Sequence, residues 1–559
     1  SSGGTGNVSA QEDPGGPSSD TTPLGVDVKS IVLISHQEKA TMDSSPGSDS
    51  IVIDSELPAP DSLGDSLTPF LGQPISMALL SEIGKSVVLA WRESDYPLVD
   101  VYYPEQNITG GKLQIVVREA VLGTKSTEGA VVTREDYLLN NIRVENGERV
   151  NRRIVETDLD WLNENPIRQV NLIYARGSVD GTSDIVLDVQ EEKPISAYVG
   201  FANTGVAQTG EEEWSFGFNW SNPGKREHLI GYHFATDLEW DNLHAHTVFY
   251  QAFLPWRHIL GVIGSHVTSE SISTVPSSVE GLSRQLTFEY EVPLMRPRFN
   301  RKWRHSVKVA FDYKSTNTDL LAGGTSFFGT EVEVGQFRAQ YDASVPDELG
   351  YTDFTLGLVA SPGELFENND DFSFDQARLG SEASYWYGFG ELERGWRLPR
   401  DFSFVFRFTG QATSDRLNVT EQILGGGYRT VRGYDESLIR GDSGFIANFE
   451  LVSPEFHLLP ARKETDSVSG KGGKQLVTRV RQIDGWNAIA FVDGAAFDIS
   501  DALPGEISPS LSSIGVGLRC RVGEMGYARA SYGWSLDSHG LLPGEDEGGR
   551  FHFGLTMDY

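Results

Sequence analysis

DFSFVFRFTG, residues 401–410, places Phe402, Phe404, Phe406 and Phe408 on one side of an extended chain and Ser403, Arg407 and Thr409 on the other. Side chains of a β-strand alternate between two faces, so this is a strand with one wholly aromatic face and one mostly polar face, which also carries Val405. The same alternation recurs on either side of it. Val307, Val309, Phe311 and Tyr313 alternate with Lys308 and Asp312, and Phe354, Leu356 and Leu358 alternate with Asp353, Thr355 and Gly357. Ala528, Ala530, Tyr532 and Trp534 alternate with Tyr527, Arg529 and Ser531. Runs of about ten residues with this pattern, separated by turn residues, are what a membrane β-barrel with a lipid-facing outside and a wet inside requires.

From Pro194 onward the pattern predicts strands near 194, 212, 226, 244, 257, 282, 303, 328, 350, 377, 403, 444, 487, 511, 525 and 550. That is an even set of about sixteen, as a closed antiparallel barrel needs. A soluble β-sandwich is the competing fold, but it does not need so long a run of strands or so consistent an aromatic face. The last stretch, RFHFGLTMDY (550–559), ends on an aromatic residue. With His552, Gly554, Met557 and Tyr559 it fits the spacing of the targeting signal on the final strand of outer-membrane proteins, so Gly554, Met557 and Tyr559 are the expected recognition positions for the barrel-assembly machinery.

Composition agrees. No apolar run approaches the roughly 18 residues of a membrane helix, and mean hydropathy is −0.29 over 559 residues. The net charge of −33 argues against nucleic acid, which needs clustered Lys and Arg. It reads as the solubility of long loops and periplasmic domains. One cysteine, Cys520, rules out an internal disulfide. Ser1 with no signal segment ahead of it reads as a mature or trimmed chain.

Ahead of the barrel, residues 1–25 read as a flexible tail without the amphipathic period of a plug helix. Two small α+β units follow, at 26–120 and 121–193. In the first, Lys29–Ser35 is a strand and Ile51–Ile53 a further short apolar run. Met77, Leu80, Ile83, Val87, Val88 and Trp91 then predict one buried helix face. Strands are expected at Leu98–Tyr103 and Lys112–Glu119. In the second, Thr133 is the expected cap of a helix to Asn140. Glu156–Asn163 is a second helix, and strands follow at Gln169–Ala175 and Asp184–Gln190.

The most specific motif lies in the connection at 413–443. It reads LGGGYRTVRGYDESLIRGDSG, Leu424 to Gly444. Its core, Val431, Arg432, Gly433 and Tyr434, resembles the hallmark of the outer-membrane transporters that include FhaC, ShlB, BamA and TamA. A second piece, FVDG at Phe491–Gly494, resembles the F-x-D stretch of that superfamily. The resemblance implies that the loop folds back into the barrel and that Asp493, on the thirteenth strand beside Phe491 and Gly494, takes its arginine. Such a lock has its own rationale: seating a loop costs about 1–2 kcal/mol per fixed residue, and a shielded Arg–carboxylate contact offsets part of that.

YYPEQNITGGKLQIVV (102–117) and LDWLNENPIRQVNLIY (159–174) are similar to the two periplasmic POTRA domains of two-partner secretion transporters, the FhaC/ShlB/HecB-like haemolysin secretion/activation proteins. This resemblance implies residence in the bacterial outer membrane, contact with its lipid, and transport of an unfolded secreted polypeptide client. The rivals are an outer-membrane assembly factor and a structural or surface-anchoring barrel.

Enzyme, metal and cofactor readings are set aside. Gly441–Asp442–Ser443–Gly444 imitates a serine-protease nucleophile but has no histidine in a matching context. His244 and His246 share a strand face and read as a solvated strand end. Glu545–Asp546–Glu547 reads as a hydrated loop tip. Gly470–Lys471–Gly472–Gly473–Lys474 reads as a basic linker, lacking a phosphate loop's spacing.

Overall fold

The computed structural model describes residues 8–10, 20–43, 45, 50–92, 95–179, 181–271, 277–322, 325–470, 473–523, 525–541 and 548–559. The chain divides into two units, Ser1–Lys193 and Pro194–Tyr559. No helix among the described residues is long and apolar enough to cross a membrane. The acidic cluster at 545–547 and part of the glycine-rich stretch at 470–474 lie outside the described residues.

The first unit holds two four-stranded sheets, each backed by helices. Strand β1 is Val8–Ala10. The first sheet contains β2 (Ser30–Ile34), β3 (Ser50–Ile53), β4 (Val99–Tyr102) and β5 (Lys112–Glu119), in the order β3-β2-β5-β4. Helices α1 (Leu63–Leu67) and α2 (Met77–Arg92) cover it. Ile31, Leu33, Leu113, Ile115 and Val117 from the strands meet Ile83, Val87 and Trp91 from α2 in one dry cluster. The helix face is rotated from the expected one. Leu79, Ile83, Val87, Ala90 and Trp91 are buried, while Met77 at the helix start is exposed.

The second sheet contains β6 (Val121–Glu128), β7 (Arg168–Arg176) and β8 (Thr182–Glu191), with α3 (Glu135–Asn140) and α4 (Arg152–Asn163) on one face. Strand β6 is absent from the sequence reading. Only Leu122 in its VLGTKSTE is fully buried, so it carries almost no apolar signal. Thr133 is not the cap of α3: Arg134 holds that position without a side-chain capping bond. Instead Thr133 donates its amide to Glu191 and its hydroxyl accepts from Arg168. Helix α4 starts one turn before the expected Glu156, because the Asn151 side chain accepts from the amides of Arg153 and Ile154. Inside the stretch read as a flexible tail, β1 pairs in parallel with β7. Three residues joined through main-chain bonds leave no apolar period to read.

In the second unit sixteen antiparallel strands close on themselves. In chain order, and hereafter by ordinal, they are Ile195–Ala202, Glu213–Ser221, His228–Asp237, Leu243–Phe253, Ile259–Glu270, Ser277–Pro293, Arg304–Ala322, Thr325–Pro346, Gly350–Pro362, Ser384–Arg397, Ser403–Ala412, Ser443–Val452, Asp484–Asp498, Ser510–Val522, Gly526–His539 and Arg550–Asp558. The outside carries Phe337, Leu356, Leu358, Phe449, Leu451, Val516 and Leu518, all exposed. In water so large an apolar surface would be untenable, whereas in lipid it is the required coat. The alternate positions point inward and pair charges, as in Lys308–Asp342 at 3.2 Å and Arg338–Glu289 at 3.3 Å.

The tenth strand is not near 377. Residues Asp371–Ala377 form helix α5, capped by the Asp370 carboxylate on the Ser373 amide at 2.8 Å, and the strand begins at Ser384. The alternation of Phe372 and Phe374 imitates a strand. Here Phe374 is buried beside Val332, Val334, Tyr385 and Leu417, while Phe372 is exposed.

The loop inside the barrel as candidate functional site

The connection between the eleventh and twelfth strands begins as a loop and then forms a short hairpin, Ile423–Gly425 against Ile439–Gly441. Val431 and Tyr434 of its tip pack with Ile446, Ala495, Phe497 and Leu511 from the wall, and Val431 is wholly buried. This apolar seat holds the tip against the inner face of the twelfth to fourteenth strands.

Arg432 sits in that seat on two carboxylates. Its Nε and Nη2 donate to the two oxygens of Asp493 at 2.7 and 2.9 Å, and its main-chain amide donates to Asp493 at 3.1 Å. Its Nη1 donates to Glu450 at 2.9 Å. The other Glu450 oxygen pairs with Arg519 at 2.6 Å. The guanidinium lies 3.5 Å over the Phe491 ring. Arg432, Glu450 and Asp493 are 4%, 1% and 0–1% exposed, so water screens none of these bonds. Two arginines against two carboxylates leave the cluster neutral. The fork geometry uses the donors that only arginine offers.

The other motif residues have distinct places. Gly433 has a φ of +101°, and a Cβ there would come within 3.0 Å of the Gly533 backbone, so the site requires glycine. The Tyr434 hydroxyl lies 2.9 Å from the carbonyls of Ser512 and Asp537. Gly494 lies beside the pair on the thirteenth strand, but a Cβ there would meet only the Leu511 carbonyl at 3.7 Å, so packing does not demand glycine. On the sixteenth strand Met557 faces out and Gly554 faces in against Arg529. The Tyr559 amide donates to the Ala197 carbonyl at 2.8 Å, with its ring exposed.

Four participants escaped sequence reasoning: Asn448, Glu450, Arg519 and His552. Asn448 donates to Asp493 at 2.9 Å, and His552 accepts from the Gly433 amide at 3.1 Å. Strand pairing was the missing signal. Asn448 stands opposite Asp493, and Glu450 opposite Phe491, once the twelfth and thirteenth strands are in register.

The remaining candidates have structural partners. Asp442 accepts bonds from Arg378, the Leu417 amide, Gln422 and the Ser500 amide, clipping three connections of the barrel end together. Ser443 donates its hydroxyl to the Thr413 carbonyl at 3.0 Å. His246 bonds the Tyr232 hydroxyl at 2.8 Å and stacks on Phe234. His244 also stacks on Phe234.

A family model described as "Haemolysin secretion/activation protein ShlB/FhaC/HecB" matches residues 181–466, half of the chain. The chain belongs to this family. Among similar sequences are the outer membrane transporter CdiB-2 of Burkholderia pseudomallei, 25% identical over 70% of this chain and 67% of its own length. The heme/hemopexin transporter protein HuxB of Haemophilus influenzae is 22% identical over 73% of this chain and 71% of its own. The fold matches solved CdiB from Escherichia coli with a TM-score of 0.68 at 16% identity, covering 98% and 92% of the two chains. BamA from Haemophilus ducreyi matches with a TM-score of 0.54 at 13% identity, covering 89% and 97%. As a member of the haemolysin secretion/activation family, this is an outer-membrane protein of secretion, with its barrel in the outer membrane and its N-terminal modules in the periplasm.

Proposed function

We propose that this protein captures an unfolded secreted polypeptide in the periplasm and passes it across the outer membrane, with no catalysis of its own. The observation that carries the reading is the tip of the long loop, seated inside a closed barrel by Arg432 on both Asp493 and Glu450. A barrel that only anchored something would have no use for a loop held by so demanding a contact. The lock fixes where the loop lies when no client is passing.

Capture falls to the N-terminal modules. In the first sheet β4 is an edge strand, paired on one side with β5. An extended client adds to such an edge through backbone bonds, which gives affinity with little sequence dependence. The exposed apolar coat meets the lipid partner, and the assembly-machinery partner meets the sixteenth strand and Tyr559 just after it. The BamA-like fold favours one second reading, insertion of other barrels into the membrane. Comparing proteins released by cells with and without the gene tests the reading. Loss of one large secreted protein supports transport, whereas an unchanged medium overturns it.

A further inference from the structure

The closure between the first and sixteenth strands is the shortest pairing in the barrel, running only over Tyr198–Ala202 against Gly554–Asp558. Beyond it one main-chain bond remains, from the Asn203 amide to the Phe553 carbonyl at 3.3 Å, and side chains take over, with Arg550 pairing to Glu211 at 2.9 Å and Asn203 bonding the strand itself. Asn203 donates Nδ2 to the Phe551 carbonyl at 2.7 Å and accepts the Phe553 amide on Oδ1 at 2.7 Å. A carboxamide thus stands in for a missing strand residue, and it is 7% exposed.

Between those two edge residues lies His552. Its ring points into the lumen and is fully buried, and Nε2 accepts the amide of Gly433, the residue after Arg432. To accept, Nε2 must be unprotonated, so the ring hydrogen sits on Nδ1. That Nδ1 has no partner among the described residues. Gly433 also accepts from Ser535 on the neighbouring fifteenth strand at 3.1 Å, and its backbone touches Gly533. The loop tip therefore leans on the closing strand from inside while Asn203 holds the same three residues from the edge.

We propose that Phe551–Phe553 is a coupling point: His552 is a positioning residue that ties the loop tip to the closing strand, and Asn203 is the clip that keeps that strand in place. Unseating the loop and loosening the barrel closure are then one event. This deepens the loop-lock reading above and rests on it. Without the Asn203 side chain the Phe551 carbonyl and the Phe553 amide would lose their partner across the closure, and a loop held by Arg432 alone would ignore that closure.

Hydrogen exchange on the full-length protein in nanodiscs tests the coupling by following the Gly433 and Phe553 amides. His552→Phe keeps an aromatic ring and removes the acceptor. It should speed exchange at Gly433 about fivefold, the worth of one net hydrogen bond, and speed Phe553 as well. Asn203→Ala should speed Phe553 and, by reciprocity, Gly433. His552→Gln, which can accept at the same place, should restore both rates. Effects confined to each variant's own amide, or a glutamine variant no better than phenylalanine, overturn the proposal. If His552→Phe does not insert, Asn203→Asp decides. It keeps the acceptor for Phe553 but loses the donor to Phe551, and an unchanged Gly433 rate in it sinks the coupling. Secretion by Arg432→Met is scored separately. Full secretion there condemns the loop-lock reading, while normal coupling rates in a secretion-dead Arg432→Met background condemn only this inference.

Discussion

Arg432→Met keeps much of the side-chain stem on Phe491 and removes the guanidinium, which isolates the charge from the packing. Three charge-assisted bonds disappear, two to Asp493 and one to Glu450. The two carboxylates are not left equally bare. Glu450 keeps Arg519, and Asp493 keeps the Asn448 side chain and the residue 432 amide. Breaking a buried pair outright costs about 3–5 kcal/mol, and these surviving partners place the loss near the lower end, about 3 kcal/mol. At 1.4 kcal/mol per decade that is about a hundredfold shift from seated toward unseated loop. Limited proteolysis of the barrel in nanodiscs reads it as cleavage between residues 427 and 441. Asp493→Asn should cost less, because the guanidinium keeps Glu450. The double variant should fall short of the summed losses by more than about 1 kcal/mol, since the two residues touch. Cleavage of Arg432→Met at the parental rate, or strict additivity, would refute the reasoning.

Gly533→Ala should unseat the tip as effectively as Gly433→Ala, because a Cβ at 533 comes within 2.7 Å of the Arg432 carbonyl carbon; an unaltered digestion pattern in both variants would contradict the packing. Asp442→Ala strips the hub that holds Arg378, Leu417, Gln422 and Ser500, and should lower barrel stability by about 3 kcal/mol, measured as the urea midpoint. Ser443→Ala, beside it, should cost only about 1 kcal/mol and leave secretion intact. Arg416 beside Glu506 holds that carboxyl down at about 2, so the contact's contribution is fully present above the ordinary glutamate value of 4.5 and is lost as pH falls toward 2. The Glu506→Gln penalty in thermal unfolding should accordingly be constant between pH 7 and 5 and shrink below about 4.5; a penalty that fades between pH 7 and 5 would speak against the pairing. Asn151→Ala should cost the second module about 1 kcal/mol through its lost helix cap, seen by calorimetry.

The barrel was legible because lipid forces every strand to show its outside. Phe404, Phe406 and Phe408, or Leu356 and Leu358, advertise period two without any knowledge of neighbours. Fifteen of the expected strand positions fall on or within a few residues of the observed strands, and the exception at 377 has a local cause in the Asp370 cap. The lock was legible only in part. Arg432 and Asp493 stand in motifs, whereas Asn448, Glu450 and His552 look like any inward polar residue of a barrel. What distinguishes them is register, and register is a property of two strands. Strand β6 was hidden for the opposite reason: it buries almost nothing, so its place is dictated by β8 beside it.

The most direct test of transport through this barrel places a photoreactive residue at lumen-facing Gln336 or Asp312 and, as a control, at lipid-facing Phe337, in cells that are actively secreting. The lumen positions should yield adducts with one large polypeptide that also reaches the medium, and Phe337 should yield none. Adducts with a mixture of barrel precursors, or a silent lumen in secreting cells, would contradict passage of a client past the Arg432 loop.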